Sequence, residues 1–159
     1  MLNLFKGIFY NYVDFFYSIG YFGEYITFLI TIALIFNKHI YLIFYIIIFA
    51  LNKVINQFFK DYFKQPRPSH PLKFLESDSF SKKKYGMPSG HSQLAFFSMF
   101  YAYLVINKFI PWTFLLLLVG FIVIYERFYF RNHTLYQLIS GAALGIIIAY
   151  ISYKIVSLV

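Results

Sequence analysis

Residues 109–125, FIPWTFLLLLVGFIVIY, run for 17 positions without a charged side chain, and Thr134–Tyr153, TLYQLISGAALGIIIAYISY, does so for 20. A helix needs about 20 apolar residues to cross the hydrocarbon layer of a bilayer. Both stretches therefore read as membrane spans. The reading extends outward to three more: Ile19–Phe36, with Glu24 near its start, Ile40–Phe59, with Lys53 in its final third, and Gly90–Ile106. Composition agrees. Apolar residues make up 60% of the chain and charged residues 13%, against roughly 45–50% and 25% in soluble domains. A single domain of 159 residues has too little polar surface to cover so much apolar side chain. The expected fold is all-α, a polytopic transmembrane bundle of about five spans in one integral membrane domain, residues 1–159.

The ends and connections refine this outline. In residues 1–19, Gly7, Asn11, Asp14 and Ser18 share one helical face, which suits an amphipathic helix in the membrane interface or a marginal sixth helix. No small-residue cleavage site follows it, so a signal peptide is not expected. The links at 37–39 and 107–108 are short enough only for antiparallel hairpins. Residues 60–89 differ: Pro66, Pro68 and Pro71 interrupt any long helix, and the segment is too polar to span. Tracing the hairpins brings Lys60–Arg67, Pro88–His91 and Glu126–Gln137 to one membrane face.

That face gathers Lys60, Arg67, Ser89, Gly90, His91, Arg127 and His133 in a chain that otherwise spends few charges. Guanidinium groups bind phosphate oxygens bidentately and Lys adds a point charge. Ser89-Gly90 precedes a helix start, where backbone N–H groups receive anions. Two histidines can supply a nucleophile and a general acid near neutral pH. The net charge of +8 could have meant nucleic acid, but the basic residues are split by apolar runs and form no soluble basic face. Cysteine is absent, so there is no thiolate nucleophile or disulfide. The four histidines have no carboxylate at ligand spacing, and no metal or cofactor is expected.

Lys60-(six residues)-Arg67-Pro68, Pro88-Ser89-Gly90-His91 and Arg127-(five residues)-His133 resemble, in order and spacing, the three-part signature of the type 2 phosphatidic acid phosphatase superfamily. That superfamily also includes glucose-6-phosphatases and vanadium haloperoxidases. Tyr85 to Gln93, His133-Thr134-(two residues)-Gln137 and Leu51-Asn52 look most like the dolichyldiphosphatase branch. The likeness covers roughly residues 45–150. It implies that His133 attacks phosphorus, that His91 protonates the leaving oxygen and then activates water, and that Lys60, Arg67, Ser89, Gly90 and Arg127 hold the phosphoryl oxygens. Two positions depart from the superfamily pattern. Glu126 stands where Ser is common, and Gln137 where Asp orients the nucleophilic His. Gln137 can accept from the ring N–H and set its tautomer, with less support for the cation. Glu126 is the alternative carboxylate.

The resemblance implies hydrolysis of a polyprenyl (dolichyl-type) diphosphate to the monophosphate and inorganic phosphate, through a phosphohistidine and without a metal. The alternatives are a broader lipid phosphatase, acting on phosphatidic acid, phosphatidylglycerophosphate or undecaprenyl diphosphate, and a weak lipid-phosphate-binding relative. The expected partners are the lipid substrate and the bilayer, with no nucleic acid. A transporter would want polar residues at mid-span, and the last two spans carry no charge. Interfacial anchoring is the competing reading of the cations, and Lys82–Lys84 reads as a solvated or headgroup-binding run and not as part of the site. His39 and His70 are expected to be non-catalytic, while Tyr85 and Gln93 suit substrate contact or helix contact equally. Basic residues number nine on the motif face and three opposite, which favours a cytosolic site. The resemblance implies a lumenal or outer site, in an endoplasmic-reticulum-type or plasma membrane.

Overall fold

Five helices follow one another: α1 (Leu2–Ile35), α2 (His39–Phe63), α3 (Gly90–Ile106), α4 (Pro111–Tyr129) and α5 (Leu135–Val156). The computed structural model describes residues 2–72, 85–107 and 110–158, with side chains from residue 14 onward. The Lys82–Lys84 run lies outside these residues. Four helices are long and apolar enough to cross a membrane: α1 from Asp14, α2, α4 and α5. The all-α membrane bundle is thus as expected.

Element boundaries differ from the sequence reading in three places. The interfacial helix and the first span are one continuous helix, α1, which no proline or left-handed residue interrupts. Helix α2 runs on to Phe63 and stops where Lys64 turns left-handed, φ 48°, its N–H donating to the Lys60 carbonyl. The long connection therefore starts at residue 64 and not at 60. Helix α4 begins at Pro111, whose fixed φ suits a first helical position, and its last turn carries Arg127. The span read as 109–125 thus extends to Tyr129 and delivers Glu126 and Arg127 on helix.

Helix α3 is the hub, touching all four others. Its 17 residues include nine that are buried, so it stands inside the bundle while the others present apolar faces outward. Apolar burial cannot drive helices together in lipid, where the tails are as apolar as leucine; close contact and polar bridges do. Glycines allow the contact. A Cβ at Gly145 would strike the Gln93 carbonyl and lie 2.9 Å from the Phe97 nitrogen, and one at Gly141 would strike the Ser89 backbone. Gly20 and Gly23 seat α1 against Glu126 and Val123 of α4 in the same way. Buried polar bridges do the rest. Tyr45 on α2 donates to Ser98 Oγ at 2.7 Å, and Thr31 on α1 donates to the Ser98 carbonyl at 3.2 Å. Around them Tyr45, Phe49, Phe97 and Tyr101 form the apolar core, with the Tyr45 and Phe97 rings stacked 5.5 Å apart.

Because Gly145 meets backbone and not a movable side chain, Gly145→Ala is expected to cost about 1–3 kcal/mol, the range for overpacking. Thermal unfolding in detergent measures it as a lowered Tm.

Candidate active site

One end of the bundle holds every sequence-derived candidate that the hairpin tracing brought together. The loop leaving α2 is clasped at both ends: Pro66 pairs with Tyr85 as an isolated antiparallel bridge, and Gly86 N–H donates to the Gln65 carbonyl at 2.8 Å. Leu72 N–H donates to the Phe130 carbonyl at 2.8 Å, tying the same loop to the end of α4. After α4, Arg131 takes a left-handed conformation, φ 54°. The chain doubles back so that Asn132 and His133 both donate N–H to the Arg127 carbonyl, at 3.0 and 3.4 Å. His133 is thereby set beside Arg127 and just ahead of α5.

Arg67 then reaches His133. Its Nη1 lies 3.0 Å from the Asn132 carbonyl and 3.2 Å from His133 Nε2. A guanidinium only donates, so Nε2 must offer its lone pair. The opposite ring nitrogen, Nδ1, lies 3.2 Å from Gln137 Oε1. The Gln137 amide has one permitted orientation. Its nitrogen faces the Pro66 carbonyl at 2.8 Å, a group that only accepts, and its oxygen faces the Thr134 N–H at 3.3 Å, a group that only donates. The ring therefore carries its proton on Nδ1 and donates it to Gln137. Gly86 makes room for this arrangement, since a Cβ there would collide with the Gln137 amide.

The electrostatics follow. His133 is 2% exposed. Burial first, then Arg67 and Lys60, with a lesser effect of Arg127, hold its pKa well below the usual imidazole range, against the opposing effect of the Gln137 hydrogen bond. Burial and neighbouring Arg127 push Arg67 down to about 10, which leaves it charged at neutral pH. Arg127 is fully buried, with Nε 2.8 Å from Glu126 Oε2, Nη2 donating to the Tyr21 carbonyl at 3.3 Å and the guanidinium 4.8 Å from the Tyr21 ring centroid. The Glu126 carboxylate is thus directed at Arg127 and not at His133. Lys60 is half-buried.

The Pro88-Ser89-Gly90-His91 segment reaches the same place through the cis Met87–Pro88 bond. Ser89 N–H donates to the Gln137 carbonyl at 2.9 Å, joining the start of α3 to the first turn of α5. Ser89 is the N-cap of α3, and its hydroxyl oxygen accepts from the Ser92 N–H at 3.5 Å and the Ser92 hydroxyl at 3.2 Å. A Cβ at Gly90 would meet only Asn56, at an ordinary 3.4 Å, so protein contacts do not require glycine there. His91 is partly exposed and has Glu24 Oε2 at 3.9 Å from its Nε2.

The capping role of Thr134 and the bracing role of Asn56 escaped the sequence reading. Thr134 and Gln137 form a capping box on α5, legible as Thr-x-x-Gln before an apolar run. Asn56 donates to the Pro88 carbonyl at 3.2 Å and to Gln93 Oε1 at 2.6 Å, and Gln93 donates to Asn52 Oδ1 at 2.8 Å. Gln93 is fully buried, so it joins helices and does not face a ligand. His39 and His70 are exposed and outside the cluster. Among the described residues no three His, Cys, Asp or Glu side chains are grouped to hold a metal ion. Beside His133 opens a cavity of about 630 Å³ whose walls include Pro68, Leu72, Tyr125, Phe128 and Leu135.

A bundle of membrane helices with cationic groups gathered about a histidine at one end defines the class, an integral membrane protein with a polar, cation-rich cluster at its helix ends. The particular family is shown by its sequence profile: residues 41–158 match the PAP2 superfamily, and the chain belongs to it. It is 32% identical over 109 residues to the lipid A 4'-phosphatase of Porphyromonas gingivalis, covering 65% of this chain and 45% of that protein. It is 29% identical over 120 residues to the dolichyldiphosphatase of Saccharomyces cerevisiae, covering 69% and 49%. The chain thus spans about half the length of these relatives. The crystal structure of Aquifex aeolicus LpxE aligns with a TM-score of 0.65 at 28% identity over 89% of this chain and 86% of that one. The PAP2-type phosphatidylglycerolphosphate phosphatase of Bacillus subtilis aligns at 0.70 and 17% identity, over 95% and 78%, and shares the fold.

A histidine held neutral when folded makes stability depend on pH. Below the unfolded imidazole value of about 6.5, the unfolded chain binds a proton that folded His133 refuses, so stability falls as pH falls through that value. His133→Gln is expected to flatten this slope, measured as Tm in detergent between about pH 7.5 and 5.5.

Proposed function

We propose that the chain is a lipid phosphatase that removes a terminal phosphate from a membrane lipid head group. The observation that carries this is a buried, neutral imidazole whose Nε2 lone pair faces Arg67, with Lys60 and Arg127 close enough to repel a second proton. Such a ring is a nucleophile at neutral pH, in a field that favours phosphate. An arriving phosphoryl group takes over the Arg67 hydrogen bond and exposes the lone pair to phosphorus. The new N–P bond forms as the bond to the leaving oxygen breaks. The electron pair stays on that oxygen, and His91 supplies its proton. Water then attacks the phosphohistidine, His91 takes the water proton, and His133 leaves as the neutral ring. Lys60, Arg67 and the first N–H groups of α3 stabilise the equatorial oxygens, with Ser89 contributing its own O–H. Arg127 adds its field, with Glu126 Oε2 against its Nε and the Tyr21 carbonyl against its Nη2. The aromatic-walled cavity beside His133 suits a hydrophobic leaving group held in or against lipid.

The relatives do not single out the polyprenyl diphosphate. At 32% and 29% identity the lipid A 4'-phosphatase and the yeast dolichyldiphosphatase stand level, and a dihydrosphingosine 1-phosphate phosphatase stands at 31%. The broader lipid-phosphatase reading is therefore the one proposed. The dolichyl-type diphosphate is one member of the substrate panel, favoured by the motif details around His91 and Gln137.

Phosphate release in detergent is to be measured with a polyprenyl diphosphate, a polyprenyl monophosphate and phosphatidic acid, with EDTA and vanadate as controls. Wild-type protein is expected to be vanadate-sensitive and EDTA-insensitive. His133→Ala and His91→Ala should each lose at least about 10²-fold, the range for acid–base groups, and retained activity in either overturns its role. Gln137→Ala frees the ring to take the wrong tautomer and is expected to lower kcat by at least about tenfold; a neutral result removes the orienting role. We place this face outside or in the lumen. The chain has no cysteine, so His70→Cys gives a single label site. Reaction with an impermeant maleimide from outside intact cells or from the lumen supports the placement, and protection reverses it.

A further inference from the structure

We propose that Glu24 of α1 is a positioning residue for His91, stabilising the imidazolium that gives its proton to the leaving group. The inference rests on the phosphoryl transfer proposed above. Glu24 lies ten residues inside the span that begins at Asp14 and is 7% exposed. A carboxylate at such depth is costly and persists where it has a partner. Its Oε2 is 3.9 Å from His91 Nε2, close enough to favour the charged ring. On the neighbouring helix face, Lys53 Nζ lies 5.9 Å from the Tyr25 ring centroid.

The placement is enforced by the fold. Gly20 and Gly23 bring α1 into direct contact with Glu126 and Val123 of α4, and the Tyr21 carbonyl accepts from Arg127. Glu24 follows on the same face as Gly20, Thr27 and Thr31, all buried, and so points at the start of α3. The whole of α1 precedes the family-matched segment 41–158, so this carboxylate lies outside the three-part signature. Proton accounting leaves Glu24 ionised throughout. As the P–O bond breaks, the proton passes from His91 to the leaving oxygen. When water attacks, it passes from water to His91. The carboxylate stabilises the imidazolium in both half-reactions and itself neither gains nor loses a proton.

A general acid matters most when the leaving oxygen is strongly basic. An alkoxide needs the proton, whereas 4-nitrophenolate departs without it. The test compares kcat/KM, which reports the steps up to the first phosphoryl transfer, for phosphatidic acid and 4-nitrophenyl phosphate in the same detergent. Glu24→Gln is expected to lose at least about tenfold on phosphatidic acid and less than about threefold on the nitrophenyl ester, a fraction of the full acid–base effect. Glu24→Asp, keeping the charge one methylene farther away, should show the same bias at smaller size. Equal losses on both substrates, or none on either, overturn the inference. If Glu24→Gln does not fold, the Asp variant decides by the same criterion. Wild-type protein inert on every lipid in the panel overturns the proposed function and this inference together, whereas an unbiased Glu24→Gln in an active enzyme overturns the inference alone.

Discussion

The site depends on the orientation of one amide. Gln137 faces a backbone acceptor, the Pro66 carbonyl, with its nitrogen and a backbone donor, the Thr134 N–H, with its oxygen. Reversing it would break both bonds and set like groups against like, with each unsatisfied buried group costing about 1–3 kcal/mol. Because the amide cannot turn, Nδ1 of His133 must carry the proton and Nε2 the lone pair. The same amide donates to Gln65 Oε1 at 3.1 Å, so the segment that presents Arg67 is tied to the residue that sets the ring. A carboxylate at this position would orient the ring equally well but would offer no donor to Pro66. Gln137 trades support of a cationic ring for a rigid join between loop and helix.

That rigid join stands on the hub helix. Ser89, at the start of α3, donates to the Gln137 carbonyl, and Gly141 on α5 leaves no room for a side chain against Ser89. Deeper in the bundle, Asn56 and Gln93 brace the Pro88 carbonyl against α2. Polar groups such as Tyr45, Asn56 and Gln93 are matched across helix pairs, which is how a bundle acquires a single register where apolar surface alone is indifferent to it. The site inherits its geometry from that register.

Charge is distributed unevenly for the same reason. The chain is strongly basic, yet Arg67, Lys60 and Arg127 act on one imidazole. Among the described residues, Glu126 lies against Arg127 and Glu24 at the edge of His91. Together with burial, the positive field of these three cations keeps His133 unprotonated.

The all-α membrane bundle, its hairpins and the common face of the three motifs were legible in the sequence, because long uncharged runs admit one structure in lipid and short links admit one direction of return. The gathering of Lys60, Arg67 and Arg127 about His133 was legible because charge is scarce enough for spacing to carry meaning. Boundaries were less so: α1 is continuous where a break after residue 19 was expected, since polar residues on one helical face do not end a helix that lacks a breaker. Only the tertiary structure decided what each polar group faces. It set the Gln137 amide, sent Glu126 to Arg127, turned Gln93 inward and brought Glu24 to His91. These depend on contacts between residues tens of positions apart, and helical periodicity records which face a residue occupies but not which neighbour meets it there.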